Sequence, residues 1–102
     1  MNGIIWIHQA RPRTSWYSLE QARKVELRAT WLTLDAEAAA MGAARVGDYT
    51  IRGQSDYSTL EVWQFADPEC VYDFWAKRVQ ADYAVWFAFS NQLGVESALV
   101  AR

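Results

Sequence analysis

The residues best suited to acid–base chemistry are the single histidine, His8, and a few carboxylate and phenol side chains. An imidazole has an ordinary pKa of about 6.5, so His8 could act as a general base near neutral pH, especially beside a carboxylate. The first and third predicted strands should be antiparallel neighbours, so we expect Glu61 to lie within reach of His8. The alternative is that His8 is a hydrogen-bonded structural residue.

Aromatic residues are abundant in this chain of 102 residues: six Trp, five Tyr and four Phe make up 15% of it. A domain this small buries only about 60–65% of the surface of its unfolded chain, so we expect several rings to line a pocket or a subunit interface. Flat aromatic walls suit a planar ligand, and an arginine can hold a carboxylate or an enolate by a forked hydrogen bond. The predicted substrate-binding residues are Trp6, Arg52, Trp63, Tyr83, Trp86 and Asn91. The alternative interpretation is that the rings only form a bulky core.

The sequence gives little support for metal binding, for a cysteine nucleophile or for nucleotide binding. Cys70 is the only cysteine, which excludes an internal disulfide and a multi-cysteine metal cage. The acidic residues Asp67, Glu69 and Asp73 surround it, and their charge disfavours the thiolate that a nucleophile needs. No Gly-x-Gly-x-x-Gly, Walker-type or Gly-x-Ser-x-Gly motif is present in the sequence. We therefore predict no metal site and no tightly held cofactor.

Composition narrows the class of protein further. Ten basic and twelve acidic residues give a formal net charge of −2, so a nucleic-acid partner is not expected. The 52% hydrophobic content is too high for disorder, and no apolar run approaches the roughly 18–20 residues of a membrane span. Residues 1–10 lack the basic start and the apolar stretch of a signal peptide. We expect a cytoplasmic protein that folds as one domain over residues 1–102.

The first half of the chain predicts strands around one long helix. Residues 3–9, 44–52 and 58–65 are rich in β-branched and aromatic side chains, which is typical of strands. A capping box that begins at Ser18 starts the helix, and Gly42 ends it. The last two strands are joined by a loop of about five residues, so they should form a hairpin.

The second half of the chain predicts further helices. Asp67 followed by Pro68 gives a carboxylate N-cap and a proline in the first turn, which together open a second helix. Asp82 is expected to cap a further helical stretch over residues 83–93. A short final strand over residues 95–100 then completes the pattern.

The predicted order is β-α-β-β-α-β, the split βαβ arrangement of a ferredoxin-like fold. In this α+β fold both helices lie on one face of a four-stranded antiparallel sheet. The first strand is apolar on both sides, with Ile5 and Ile7 opposite Ile4 and Trp6. A sheet that is apolar on both faces must cover the second face, most simply with the same face of another copy. We therefore predict a homodimer.

Several short segments carry a resemblance to a known group of proteins. They are Asp56-Tyr57, Glu61-Val62-Trp63-Gln64-Phe65, Asp67-Pro68-Glu69 with Phe74, and then Tyr83, Trp86-Phe87, Asn91 and Gly94. On these segments the chain resembles the dimeric α+β barrel superfamily and, within it, a family described only as a domain of unknown function. The superfamily includes cofactor-free monooxygenases, cyclases of aromatic polyketide pathways, haem-degrading enzymes and non-enzymatic proteins, so the fold alone does not fix the reaction.

The resemblance also suggests roles for particular residues. Some cyclases of the superfamily use a His/Tyr pair, which His8 with Tyr49 or Tyr57 would match. Haem-degrading members use an Asn, a Trp and a His in that order. In this chain the histidine precedes every tryptophan except Trp6, so that pattern does not transfer. Haem held axially by His8 is kept only as a minor alternative.

The leading function is therefore that of a small-molecule-binding dimeric barrel protein. In its enzymatic form it would be a cofactor-independent monooxygenase or cyclase that acts on an aromatic or polyketide-like substrate. The alternative is a non-enzymatic ligand-binding or structural module. The two differ in whether His8, Glu61 and a tyrosine converge on one enclosed cavity.

Overall fold

The computed structural model describes residues 3–97, and its element order confirms the predicted β-α-β-β-α-β arrangement. The sheet consists of β1 (Ile4–Pro12), β2 (Ala44–Thr50), β3 (Thr59–Phe65) and β4 (Phe87–Val95). The helices are α1 (Thr14–Tyr17), α2 (Gln21–Ala40), α3 (Pro68–Gln80) and α4 (Tyr83–Trp86). All paired strands are antiparallel and lie in the order β2-β3-β1-β4. This is the ferredoxin-like fold, to which α1 and α4 add one turn each.

The alternation of side chains along β1 decides which face of the sheet the helices cover. Trp6, His8 and Ala10 are buried, whereas the residues between them are only partly buried. In a strand successive side chains point to opposite faces, so the buried residues mark the face on which α2 and α3 pack. Two hydrophobic clusters fill this layer. The first comprises Trp6, Trp63, Phe65, Val71 and Phe74, and the second comprises Ala10, Trp16, Leu27, Trp31 and Tyr83.

Helix α3, the second helix that the sequence predicts, begins at the expected residue. Asp67 is its N-cap, and the Asp67 carboxylate accepts a hydrogen bond of 2.9 Å from the backbone N–H of Cys70. Pro68 follows in the first turn. Backbone N–H groups at this position have no acceptor within the helix, so the absence of one in proline costs no hydrogen bond. The cap and the proline together fix the point at which the chain leaves β3 and turns back over the sheet.

The helix predicted over residues 83–93 is wrong. Only Tyr83–Trp86 is helical, and Phe87–Val95 forms strand β4. The physical reason is tertiary. Strand β4 pairs with β1 from Pro12↔Phe87 to Ile4↔Val95, and this pairing gives hydrogen-bond partners to the backbone N–H and C=O groups on the edge of β1 that β3 leaves free. Aromatic and branched side chains fit a pleated sheet at least as well as a helix. Of the strand expected over residues 95–100, only Val95 belongs to β4, and residues 98–100 lie outside the described part of the chain.

The face of the sheet without helices carries, on its two central strands, the apolar side chains that the alternation predicts. They are Ile5 and Ile7 of β1 and Leu60 and Val62 of β3. Ile7 lies directly opposite Val62, whereas Ile5 lies opposite Gln64 and Leu60 opposite Gln9. We call this side of the sheet the open face. These four side chains are only partly buried, since neither α2 nor α3 covers them. None of the helices within residues 3–97 has the length and apolar character that a membrane span requires.

Candidate functional site

His8 lies at the centre of the helix-covered face of the sheet. In the strand register it is directly opposite Glu61 of β3 on one side and Asn91 of β4 on the other. Its side chain is 1% exposed. The ring stacks on Trp6 at 5.0 Å between centroids, and Trp75 of α3 lies 5.5 Å from it. The imidazole is therefore enclosed by aromatic rings rather than open to solvent.

Both ring nitrogens of His8 have hydrogen-bond partners within the protein. Nδ1 lies 2.6 Å from Oδ1 of Asn91, and Nε2 lies 2.7 Å from the hydroxyl of Tyr83. Burial lowers the pKa of His8 to about 4, so the ring is neutral at pH 7. Burial also raises the pKa of Tyr83, so its hydroxyl keeps its proton. We call this hydrogen-bonded chain, Tyr83–His8–Asn91, the core relay.

Glu61 is held by an arginine and does not hydrogen-bond to His8. The Arg78 guanidinium, which is 3% exposed, donates to both carboxylate oxygens of Glu61 at 2.8 and 3.1 Å and to Asp35 at 3.1 Å. The indole N–H of Trp63 donates a further hydrogen bond of 3.0 Å to Glu61. Burial alone would raise the pKa of Glu61, but the hydrogen bonds and charge of Arg78 outweigh it and hold that pKa below its usual value. Glu61 is therefore an ion-paired carboxylate and not a free base.

Two clefts flank the core relay. The first, here called the aromatic cleft, has a volume of about 240 Å³ and is lined by Trp6, Val71, Tyr72, Trp75, Asn91, Gln92 and Leu93. The second, here called the charged cleft, has a volume of about 290 Å³, and its lining includes Asp35, Arg45, Asp48, Glu61, Arg78 and Tyr83. Because the strand order is β2-β3-β1-β4, the two clefts lie towards opposite edges of the sheet. The core relay thus joins a residue of each cleft, Tyr83 and Asn91.

The tyrosine beside His8 differs from the two that the sequence indicated. Tyr49 pairs with Leu60 on the open face and is 55% exposed, so the sheet separates it from His8. The hydroxyl of Tyr57 donates to the backbone carbonyl of Phe89 at 3.1 Å. Tyr83, which we expected to contact substrate, occupies the position beside the imidazole instead. The pairing of His8 with Tyr49 or Tyr57 is therefore corrected to a pairing with Tyr83.

The predicted binding residues fall into two groups. Trp6 and Asn91 both line the aromatic cleft. Trp63 stacks on Phe65 in the core and does not belong to the lining of either cleft. Trp86 packs against Trp16 in the second hydrophobic cluster, and Arg52 lies exposed in the loop after β2. Trp63, Trp86 and Arg52 are therefore separate from the aromatic cleft: the two tryptophans pack against other core rings, and the arginine lies in an exposed loop.

Sequence reasoning missed Arg78 and the residues of α3 that line the aromatic cleft. Arg78 follows Val71 and Phe74 at spacings of seven and four, so it lies on the buried stripe of its helix. An arginine on an apolar stripe needs a buried carboxylate partner, which is a signal that the sequence did contain. Tyr72 and Trp75, by contrast, gave no local sign that they would face the edge of β4.

The residues of the site do not fit a metal or an axially held haem. Within residues 3–97 no three His, Cys, Asp or Glu side chains are arranged to hold a metal ion. Both ring nitrogens of His8 are engaged by Tyr83 and Asn91 inside the core. Iron ligation by His8 would require one of these hydrogen bonds to be broken. His8 is therefore not placed to act as an axial ligand of haem.

Comparisons with known proteins identify the fold. No family model and no curated protein matches the chain. Among solved structures, a mutant chlorite dismutase from Candidatus Nitrospira defluvii matches with a TM-score of 0.74 at 15% identity, covering 99% of this chain and 45% of that one. Another mutant of that enzyme, in complex with cyanide, matches with a TM-score of 0.73 at 15% identity, covering 92% and 40%. This chain therefore spans less than half the length of those proteins.

A further match covers nearly the whole of both chains. It is a dimeric protein of unknown function and ferredoxin-like fold from Bacteroides fragilis, with a TM-score of 0.51 at 12% identity, covering 90% of this chain and 94% of that one. At these identities the likeness concerns the fold alone. The predicted ferredoxin-like α+β fold is thereby confirmed.

Proposed function

We propose that the chain binds a small, largely planar organic molecule in the aromatic cleft. The observation that carries the proposal is the composition of the cleft walls: Tyr72, Trp75 and Leu93 supply apolar surface, and the amide of Asn91 supplies a polar contact. Ligand sites are typically apolar concavities with a few directed polar groups. Trp75 also packs against Phe89 at 4.5 Å between centroids, which holds the wall in place.

The proposed chemistry is cofactor-independent, of the cyclase or monooxygenase type, on an aromatic or polyketide-like substrate. In both reactions a proton on a carbon or a phenol conjugated with a carbonyl passes to solvent water and leaves a substrate anion. In the monooxygenase reaction O₂ then oxidises this anion and supplies the oxygen atom. Directed hydrogen-bond donors in a site with little water favour such an anion. Because His8 is 1% exposed and its pKa lies near 4, we assign it the role of positioning Asn91, with Tyr83 positioning His8 in turn.

The proposed assembly is a homodimer that forms through the open face. Ile5, Ile7, Leu60 and Val62 form an apolar surface that the helices of the same chain do not cover. The Bacteroides fragilis protein that shares the fold is described as dimeric. Burying such a surface against its own copy is favourable, because association removes apolar area from water.

A binding experiment with a cleft-filling variant tests the ligand site. Isothermal titration calorimetry with a panel of planar bicyclic ketones, phenols and aromatic acids should find ligands for the wild-type protein. Leu93→Trp places a larger side chain in the aromatic cleft at a residue that is 41% exposed. We expect it to weaken binding at least about 10-fold by occupying the space that the ligand needs.

The matched control is Leu32→Trp, which adds the same side chain beside the charged cleft at a residue that is 60% exposed. Its affinity for the same ligands should stay within about twofold of wild type. Absence of binding across the panel would contradict the proposal. Loss of binding in Leu32→Trp, with binding retained in Leu93→Trp, would place the ligand in the charged cleft and contradict it equally.

A ligand-binding role without turnover is the second candidate. It is favoured by the hydrogen bonds that engage both nitrogens of His8 and by the ion pair between Arg78 and Glu61, which leave neither side chain as a free base. Mass spectrometry of bound ligands after aerobic incubation separates the two. A protein-dependent change in ligand mass or structure supports the enzyme, and unchanged ligand supports the binding module.

A further inference from the structure

We infer that Asn91 makes the aromatic cleft select ligands that present a hydrogen-bond acceptor, such as a carbonyl, enolate or phenolate oxygen. The inference rests on the proposed function and deepens it, because it names the polarity of the ligand as well as its shape. It follows from the direction of the hydrogen bonds in the core relay and from the place of Asn91 in the cleft wall.

The first step fixes the hydrogen on the imidazole. A neutral histidine carries one N–H and one bare nitrogen. Oδ1 of Asn91 has no hydrogen to give, so the short contact of 2.6 Å requires Nδ1–H of His8 to donate. Nε2 is then bare and accepts the hydroxyl hydrogen of Tyr83 across 2.7 Å. Donation therefore runs in one direction, from Tyr83 to His8 to Asn91.

The second step fixes the amide. A side-chain amide is planar, with an acceptor oxygen on one branch and two N–H donors on the other. The oxygen of Asn91 is committed to His8 inside the core, and the residue also lines the aromatic cleft. The geometry thus directs the NH₂ group towards the cleft. A flipped amide would need the hydrogen on Nε2 of His8 and the Tyr83 hydroxyl as its acceptor. The Arg78 guanidinium, which has only donors, lies against Tyr83 and occupies its oxygen as an acceptor, so the hydroxyl hydrogen is directed to His8 and favours the orientation with NH₂ in the cleft.

The third step concerns the charges around the cleft. None of the seven residues that line it carries a carboxylate or an ammonium group. Behind the wall, the guanidinium carbon of Arg78 lies 5.5 Å from the centre of the Trp6 ring, but its charge is offset by the ion pairs with Glu61 and Asp35, so the amide of Asn91 and not a net charge sets the polarity of the site. The hydrogen bond from His8 polarises the amide of Asn91 and strengthens its N–H groups as donors. An acceptor oxygen is therefore complementary to this site, and an N–H group is not.

A pair of matched bicyclic ligands tests the inference by calorimetry. 1-Indanone presents one carbonyl acceptor, whereas indole presents one N–H donor, and the two have similar size and shape. The wild-type protein should bind 1-indanone about 10-fold more tightly, as expected for one well-placed hydrogen bond. Asn91→Asp keeps an oxygen for Nδ1–H of His8 but replaces the two donors by an acceptor, so the preference should reverse towards indole.

The control is Gln80→Glu, which makes the same amide-to-acid replacement at an exposed residue at the end of α3 and should keep the wild-type preference. Tyr83→Phe provides a second variant, in case Asn91→Asp fails to fold. Without the phenol the imidazole hydrogen is free to move to Nε2 and the amide to turn, so the discrimination between the two ligands should fall to about twofold or less.

The outcomes separate the inference from the proposed function. Equal binding of the two ligands by the wild type, or an unchanged ranking in Asn91→Asp or in Tyr83→Phe, overturns the inference and leaves the ligand site standing. Failure of the wild-type protein to bind either ligand contradicts the proposed site itself, and the inference with it.

Discussion

At the scale of single residues, the main feature is a neutral histidine held inside an aromatic core. Trp6 stacks on one side of His8, and hydrogen bonds to Tyr83 and Asn91 satisfy both of its nitrogens. A buried polar group without partners would cost free energy, and here the core relay removes that cost. Burial, assisted by the positive charge of Arg78, lowers the pKa of His8, and it outweighs the hydrogen bond with Asn91 and the charge of Glu61, which favour the charged ring.

This environment predicts a specific loss of stability in mild acid. The pKa of His8 is about 4 in the folded protein and about 6.5 in the unfolded chain, so the unfolded chain binds more protons between these values. The contribution of His8 is fully present above pH 6.5 and is lost as the pH falls towards 4. We expect the free energy of unfolding, measured with urea, to decrease by about 3 kcal/mol over this range.

His8→Gln provides the control for that measurement, because His8 is the only histidine in the chain. The variant removes the titrating group, so its free energy of unfolding should change far less between pH 6.5 and 4.5. A wild-type protein whose stability is constant over the same interval would show that the imidazole is not held neutral by the fold.

At the scale of elements, the turn between α3 and α4 positions the core relay. Asp82 adopts a left-handed backbone conformation with φ of 68°, and Tyr83 follows it directly. The indole N–H of Trp31 in α2 donates a hydrogen bond of 3.0 Å to the backbone carbonyl of Ala81, which ties the turn to α2. The place of the Tyr83 hydroxyl therefore depends on a backbone conformation that most residue types avoid.

Substitutions at Asp82 should reveal that dependence. A β-branched side chain is strained in the left-handed region by roughly 1–2 kcal/mol, so Asp82→Ile should lower the free energy of unfolding by about that amount. Asp82→Gly adopts the same conformation without strain and should leave stability unchanged within about 1 kcal/mol. Denaturant unfolding of the two variants provides the comparison, and equal destabilisation by both would argue against a conformational cause.

At the scale of the whole molecule, the sheet has one face covered by helices and one apolar face without them. The covered face contains the core relay and supplies part of both clefts, so the open face is left for association with another copy. Dimer formation through the open face would leave the aromatic cleft accessible, since Trp6, Asn91 and the residues of α3 lie on the other side of the sheet.

A charge on the open face should therefore prevent association. Val62→Asp places a carboxylate at the centre of β3, where dimerisation would bury it without a partner. Size-exclusion chromatography with light scattering should give a dimer for the wild type and a monomer for this variant. Ala36→Asp, on the exposed surface of α2, should remain dimeric. A monomeric wild-type protein at micromolar concentration would contradict the proposed assembly.

The sequence allowed much of the architecture to be predicted. Two-residue alternation marked which side of β1 and β3 each side chain occupies. The expected antiparallel pairing of these strands put Glu61 within reach of His8, and the structure places the two residues directly opposite each other. The N-cap at Asp67 located the start of α3. Each of these features depends on residues close together in the chain or on a regular repeat, and local backbone preference is enough to determine it.

Only the tertiary structure decided the composition of the site. The residues that follow Trp86 become a strand because β1 offers an unpaired edge, and this moves Asn91 from a predicted helix to a position beside His8. The partners of His8 are separated from it by 75 and 83 residues, so no local pattern specifies their distance. Periodicity describes neighbours along one element, whereas a hydrogen bond of 2.7 Å between elements depends on how their side chains pack together.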